Sequence, residues 1–180
     1  MTTMIPLGPL LMAADGGGLS QLWLPNEVIA RVIPADWHRC GTHPLLRRTR
    51  ALLDAYFAKE HPCWQDLPLT PQGSAFQRRV WQQLSEVPYG QCSHYGELAR
   101  RLDNPRAVRA VGGAVGRNPI AILIPCHRIL GKGGNLTGYS GGLAIKRALL
   151  ELEDPLPPLT SIAAGAAVYA DTRTSSVRTS

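Results

Sequence analysis

Residues 93–115 read SHYGELARRLDNPRAVRAVGGAV, and the pattern of this stretch governs the fold assignment. Ser93 can cap a helix, and Glu97 falls in its first turn, where a negative charge suits the positive end of the helix dipole. Leu98 and Leu102 supply that helix's apolar stripe. Asp103-Asn104-Pro105 then breaks the chain. A second short helix is predicted over 107–115, built from Ala, Val and Gly around Arg109. Helix, short turn and small-residue helix make a helix-turn-helix outline. Glycine weakens a helix, so Gly112 and Gly113 imply a contact requirement. Close approach to a nucleic acid and tight packing against another helix both meet it, and the segment alone leaves both open.

Working upstream, Phe76, Val80 and Leu84 share one face of a helix that Pro88-Tyr89-Gly90 stops. Residues 61–73 hold His61-Pro62, Leu67-Pro68 and Pro71-Gln72-Gly73, a loop and a candidate boundary between subdomains. Leu45, Leu52, Leu53, Tyr56 and Phe57 predict a helix from Pro44 to Lys59. Residues 4–25 read as a hairpin, with positive φ expected at the glycines of Asp15-Gly16-Gly17-Gly18. The apolar run from Ile5 to Ala14 contains Pro6, Gly8 and Pro9 with no preceding Lys or Arg, so it reads as a strand rather than a signal peptide.

Working downstream, the β-branched run Ile120-Ala121-Ile122-Leu123-Ile124 predicts a buried strand. It delivers Pro125-Cys126-His127-Arg128 to a glycine-rich loop over 131–142, and a helix follows from Leu143 to Glu153. The tail over 154–180 is rich in Pro, then in Ala, Ser and Thr, and no packed fold is expected of it.

Composition narrows the function classes. The chain has 180 residues, 44% hydrophobic and 18% charged, which fits a soluble globular protein of one domain or two small ones. No apolar run reaches the length of a membrane span. The net charge is +6, and it is concentrated. Over 91–150, nine basic residues face only Glu97 and Asp103, which suggests a surface for a polyanion. Cys40, Cys63, Cys92 and Cys126 are widely spaced with no CxxC pair, consistent with reduced thiols in the cytoplasm. His38, Cys40 and His43 make an incomplete zinc shell, so no metal is expected.

Cys126 at the end of a strand, before a flexible loop, is a reasonable nucleophile, provided its thiol can lose a proton. Arg128 and Lys132 would favour the thiolate. Successive strand residues face opposite ways, so His127 reaches Cys126 only through a turn or a bridging water. A structural buried cysteine beside a satisfied histidine is the alternative, and this pair alone does not decide between them.

Four segments decide it together. Ile124-Pro125-Cys126-His127-Arg128-Ile129, Arg106-Ala107-Val108-Arg109-Ala110-Val111-Gly112-Gly113-Ala114, Asn118-Pro119-Ile120 and Gly138-Tyr139-Ser140-Gly141-Gly142 resemble, in order and spacing, the O6-alkylguanine-DNA alkyltransferases, also called methylated-DNA–protein-cysteine methyltransferases. The resemblance is strong over about 70–153 and loose before it, where Pro6-Leu7-Gly8-Pro9-Leu10 matches best.

The resemblance implies an α+β fold. A small ribonuclease-H-like α/β subdomain would occupy 1–69, and a mainly helical subdomain with the helix-turn-helix 70–153. It implies irreversible transfer of the alkyl group from O6-alkylguanine in double-stranded DNA to Cys126, with O4-alkylthymine a second candidate substrate. A non-catalytic sensor of alkylated DNA is the alternative on this fold. His127 is implied to act as base through water, Glu153 to hold the imidazole, Asn118 to brace the turn, and Tyr95 to contact DNA and help protonate the departing guanine. Arg109 would replace the flipped nucleotide in the stack. Ala107, Ala110, Gly112, Gly113, Tyr95 and Arg128 would lie against DNA, and Ile129, Tyr139, Ser140, Gly141 and Lys146 at the guanine pocket. No cofactor is implied, because the alkyl group arrives on the base, and the implied state is a monomer.

Overall fold

The computed structural model describes residues 2–5, 7–30 and 32–153. The expectation for the tail over 154–180 lies outside the described residues. Strands β1 (Thr2–Ile5), β2 (Gly8–Ala14) and β3 (Leu19–Trp23) form an antiparallel sheet in that order. The hairpin predicted over 4–25 is β2 and β3, with Met12 opposite Leu22, and β1 adds a third strand. Leu10, Leu11 and Met12 are buried in succession, so both faces of β2 are covered.

The hairpin turn differs from expectation. Gly16, Gly17 and Gly18 are not among the residues with positive φ. The Asp15 carboxylate instead accepts the Gly17 and Gly18 amides at 2.9 and 3.0 Å, making an Asx-type turn. Glycine is required at position 18 for space, because a Cβ there would sit 2.4 Å from the Pro68 carbonyl oxygen.

Helix α1 (Pro25–Ala30) follows the sheet, and α2 (Pro44–Phe57) starts on a proline in its first turn. It buries Leu46, Thr49, Leu53 and Tyr56, one per turn. Helix α3 (Ala75–Ser85) opens with a capping box: Ser74 Oγ accepts the Gln77 amide at 3.2 Å, and Gln77 Oε1 accepts the Ser74 amide at 2.8 Å. Val80, Trp81 and Leu84 face inward, and Trp81 Nε1 donates to the Ala114 carbonyl at 2.9 Å.

Helices α4 (Tyr95–Arg101) and α5 (Val108–Gly116) lie either side of a turn in which Asp103 adopts φ 57°. The cap of α4 is His94 rather than Ser93, its Nδ1 accepting the Glu97 amide at 3.1 Å. Ser93 lies in a strand instead, because β4 (Ser93–His94) pairs in parallel with β5 (Ile129–Leu130). Helix α6 (Leu143–Glu153) turns Lys146, Leu149, Leu150 and Glu153 inward.

The predicted strand over 120–124 does not form. Ile120 makes one parallel bridge to Leu22, and the chain then folds into turns. Ile122 sits at φ 70°, and the Leu123 amide bonds the Ala121 carbonyl across it at 2.8 Å. That is a γ-turn about a β-branched residue, a conformation costing about 1–2 kcal/mol. Burial compensates: all five side chains are at most 2% exposed. The apolar run was a correct sign of burial and a false sign of extension, since periodicity cannot separate the two in so short a run.

β3 joins the halves of the chain. Leu19 bonds both ways with the 68–70 segment, at 2.8 Å each, and Leu22 with Pro119 and Ala121 at 2.8 and 3.1 Å. One apolar cluster runs from Leu10, Leu22 and Leu24 through Trp81 and Leu84 to Val111 and Leu149.

Candidate active site

The turns over 120–124 end at Cys126, which begins a one-turn 3-10 helix, Cys126–Arg128. Asn118, just beyond the Arg117 cap of α5, sets this geometry. Its Oδ1 accepts the Ile120 amide at 3.1 Å, and its Nδ2 donates to the Ile124 carbonyl at 2.8 Å and to Cys126 Sγ at 3.0 Å. One buried amide thus holds both ends of the strained turn and the sulfur.

The segment is a 3-10 turn rather than a strand, and within it His127 Nδ1 makes no hydrogen bond to the Cys126 sulfur. His127 and Arg128 both reach Glu153 at the end of α6. His127 Nε2 lies 2.7 Å from Glu153 Oε1. Arg128 Nε and Nη2 grip the two carboxylate oxygens at 2.8 and 2.9 Å, and Arg128 Nη1 donates to the Val87 carbonyl at 2.6 Å. Tyr56 Oη donates to Oε1 at 2.7 Å, and the Gly90 amide to Oε2 at 3.3 Å.

Charge follows from this wiring. Burial alone would raise the Glu153 carboxyl, but the bonds from His127 and Arg128 outweigh it and bring its pKa down to about 2. An ionised carboxylate only accepts, so His127 Nε2 carries the proton and Nδ1 keeps its lone pair. Nδ1 is buried and has no protein partner. Burial, more than the opposing pull of Glu153, lowers the imidazole's pKa and keeps the ring neutral. Burial also pushes the Cys126 thiol up to about 11, despite the Asn118 bond.

The expectation that Arg128 and Lys132 hold a thiolate therefore changes. The Arg128 charge is committed to Glu153, Lys132 is exposed, and the resting sulfur is a thiol. Arg128 is likewise withdrawn from the expected DNA-facing set: it is 4% exposed and its donors point into the protein. The sequence shows only a basic residue in a basic region, which cannot tell an inward arginine from an outward one.

Other expected residues surround the sulfur. Tyr95 is half-buried, with its hydroxyl 3.5 Å from the Gly138 carbonyl; burial raises its pKa against a smaller lowering by Thr137, and Cys126 adds to the rise. Tyr139 is affected likewise, its pKa raised well above the usual value by burial first and then by Cys126, and its buried hydroxyl has no partner. Lys146 is fully buried and donates to the Ile129 carbonyl and, at 2.8 Å, to that of Thr137, fastening the pocket loop. Gly141 is buried, and Asn26 of α1 donates to its carbonyl at 2.9 Å, while Ser140 is exposed.

On α5, Arg109 and Ala110 are exposed and Gly112 and Gly113 are half-buried, as is Ala107 just before the helix. Gly112 faces the Tyr95 ring, which a Cβ would meet at 3.8 Å. A groove of about 510 Å³ beside β2, lined in part by Trp37, His38 and Cys40, lies apart from these residues. Among the described residues no group of His, Cys, Asp and Glu is placed to hold a metal.

Tyr56 is the site residue that sequence reasoning missed. The signal was a tyrosine on the buried stripe of α2, because a buried phenol needs a partner for its polar tip.

Residues 75–155 match the family model described as 6-O-methylguanine DNA methyltransferase, DNA binding domain. A methylated-DNA–protein-cysteine methyltransferase of Haemophilus influenzae is 49% identical over 148 residues, 82% of each chain. One from Methanosarcina mazei is 45% identical over 149 residues, 83% of this chain and 92% of the relative. Among solved structures, Mycobacterium tuberculosis OGT in complex with DNA superposes with a TM-score of 0.77 at 41% identity, covering 89% of this chain and 96% of that one. Such identity across most of both chains places this protein in the methylated-DNA–protein-cysteine methyltransferase family.

Proposed function

We propose that this protein repairs DNA by moving an alkyl group from O6 of guanine to Cys126 Sγ, once per molecule. The observation that carries the reading is the Cys126 sulfur, held by Asn118 beside a neutral imidazole that Glu153 orients. The Haemophilus influenzae and Methanosarcina mazei relatives are named for this activity. Sγ attacks the alkyl carbon, the S–C bond forms and the C–O6 bond breaks, and its electron pair leaves on guanine. The thiol proton passes through a water molecule to His127 Nδ1, the Tyr95 hydroxyl protonates the departing base, and the proton on His127 returns through solvent to the tyrosinate, so that both side chains end neutral. Ionising a thiol of pKa about 11 in advance would cost roughly 5 kcal/mol at neutral pH. Proton removal is therefore coupled to attack rather than completed before it. The product is a thioether that no neighbouring group hydrolyses, so the reaction ends there.

We read α4 and α5 as a helix-turn-helix, and the chain as a ribonuclease-H-like N-terminal subdomain and a helical one dividing near residue 70. The small residues of α5 let it approach the minor groove, while most contacts go to phosphate and carry little sequence information. The target base must leave the duplex, because its O6 is out of reach of in-line attack inside the stack. Arg109, exposed on α5, fills the gap it leaves.

Incubation with DNA containing O6-methylguanine is expected to add one methyl mass to the peptide containing Cys126. Tight lesion binding without that mass change would instead mark a sensor. Arg109→Ala is expected to slow repair of duplex DNA by at least about tenfold, the loss of roughly 1.4 kcal/mol. Transfer from a free O6-alkylated base should stay near the wild-type rate. Equal losses on the two substrates would remove the intercalating role.

A further inference from the structure

We propose that Tyr56 of α2 is a positioning residue for alkyl transfer, its hydroxyl fixing the Glu153 oxygen that orients His127. This rests on the reading of Cys126 as alkyl acceptor, and it assigns part of the reaction to a helix 97 residues away from Glu153 in the chain.

The bond has one direction. Burial and the adjacent Glu153 charge push the Tyr56 phenol up, and the carboxylate is ionised, so Tyr56 always donates. The ring is also held. It packs edge-on against Phe57, Trp64 and Tyr89, with centroids 5.2, 5.7 and 6.0 Å away. A phenylalanine would fill this cage equally well, so packing does not account for the hydroxyl. Its role lies at its tip, where Glu153 Oε1 receives Tyr56 Oη and His127 Nε2 at 2.7 Å each and Arg128 Nη2 at 2.9 Å.

Three donors share one oxygen, so each weakens the hold of the others. Arg128 fixes the plane of the carboxylate by its two-point grip, and Tyr56 fixes Oε1 from the opposite half of the chain. Without the hydroxyl, Oε1 has one donor fewer, becomes more basic and stabilises a protonated imidazole more. The charged and titratable groups around His127 are Glu153 and Lys146 of α6, Arg128 and Cys126 of its own turn, Tyr56 of α2 and Tyr139 of the loop before α6, while Glu27 of α1 acts on the neighbouring sulfur. Tyr56 can lose its donor without a change of charge or of nucleophile, and unlike the Tyr139 hydroxyl, which has no partner, its hydroxyl bonds Glu153 directly.

The test uses the full chain with Tyr56→Phe, and with Leu53→Ala as control. Leu53 is fully buried one turn earlier on α2 and takes no part in the relay. Two quantities are measured: the single-turnover rate of methyl transfer from an O6-methylguanine oligonucleotide across pH, and the His127 titration in the free protein by NMR. For Tyr56→Phe, the rate at neutral pH is expected to fall on the order of tenfold, as for other partners that orient a functional histidine. The acid limb of its pH profile and the His127 midpoint should both move upward. Leu53→Ala should lower the Tm and leave both midpoints at the wild-type value. A Tyr56→Phe protein that keeps the wild-type His127 midpoint, or keeps the wild-type rate, overturns the proposal. Failure of the wild type to transfer methyl would count against the repair reading itself, while the His127 midpoint would still report the coupling.

Discussion

Replacing Cys126 by alanine is expected to abolish methyl transfer while leaving a folded protein that still binds DNA. No second sulfur substitutes, because Cys63 and Cys92 are exposed and Cys40 lies at the groove beside β2, away from the His127–Glu153 pair. The stability cost should be small, about 1–2 kcal/mol for losing one buried sulfur. Asn118 keeps its bonds to Ile120 and Ile124, so the strained turn survives without its third contact. Denaturant unfolding, DNA binding and mass analysis together test this. Methyl transfer by a folded Cys126→Ala protein would eliminate the proposed chemistry.

The second large effect is expected from Glu153→Gln. The Glu153 carboxylate accepts five hydrogen bonds, from Tyr56, His127, Gly90 and twice from Arg128. A glutamine offers one acceptor oxygen and turns an NH2 toward groups that are themselves donors. It also leaves the Arg128 guanidinium buried without a counter-charge. Breaking a buried pair in this way costs about 3–5 kcal/mol. The methyl-transfer rate should fall by tenfold or more, because the imidazole loses both orientation and the charge that supports its protonated form.

The pH dependence of that stability loss has a definite sign. The Glu153 pKa is depressed in the folded state, so its contribution is fully present above the ordinary value of 4.5 and is lost as pH falls through about 2. Wild type and Glu153→Gln should therefore differ most at neutral pH and converge in acid. Parallel curves down to the lowest pH would mean that the carboxylate's charge is not what stabilises the site.

The parts of this fold that were legible in the sequence are those where one periodicity dominates. The spacing of Leu45, Leu52, Leu53, Tyr56 and Phe57 and that of Phe76, Val80 and Leu84 are strong signals of helices. Cys126, His127, Asn118 and Glu153 were legible through the joint pattern of four segments, and the structure brings them together. What stayed hidden depends on side-chain partners that no periodicity marks, some near in sequence and some far. The turn over 120–124 needs the Asn118 amide, the inward course of Arg128 needs Glu153, and the bond of Tyr56 spans most of the chain. The hairpin glycines and the cap at His94 show a smaller version of this limit. In each case a neighbouring side chain, Asp15 or the His94 ring, took a role that local preference gives to another residue.

The separation of His127 and Glu153 also orders events in time. During synthesis the imidazole, with the sulfur just ahead of it, is made 26 residues before the carboxylate that holds the ring. A nascent chain therefore carries its nucleophile before the proton acceptor is aligned, and joining the two must wait for α6 to dock against α2 and the 3-10 turn. Because such distant contacts close late in folding, chemical competence should appear with the final docking event rather than with the first compact intermediate.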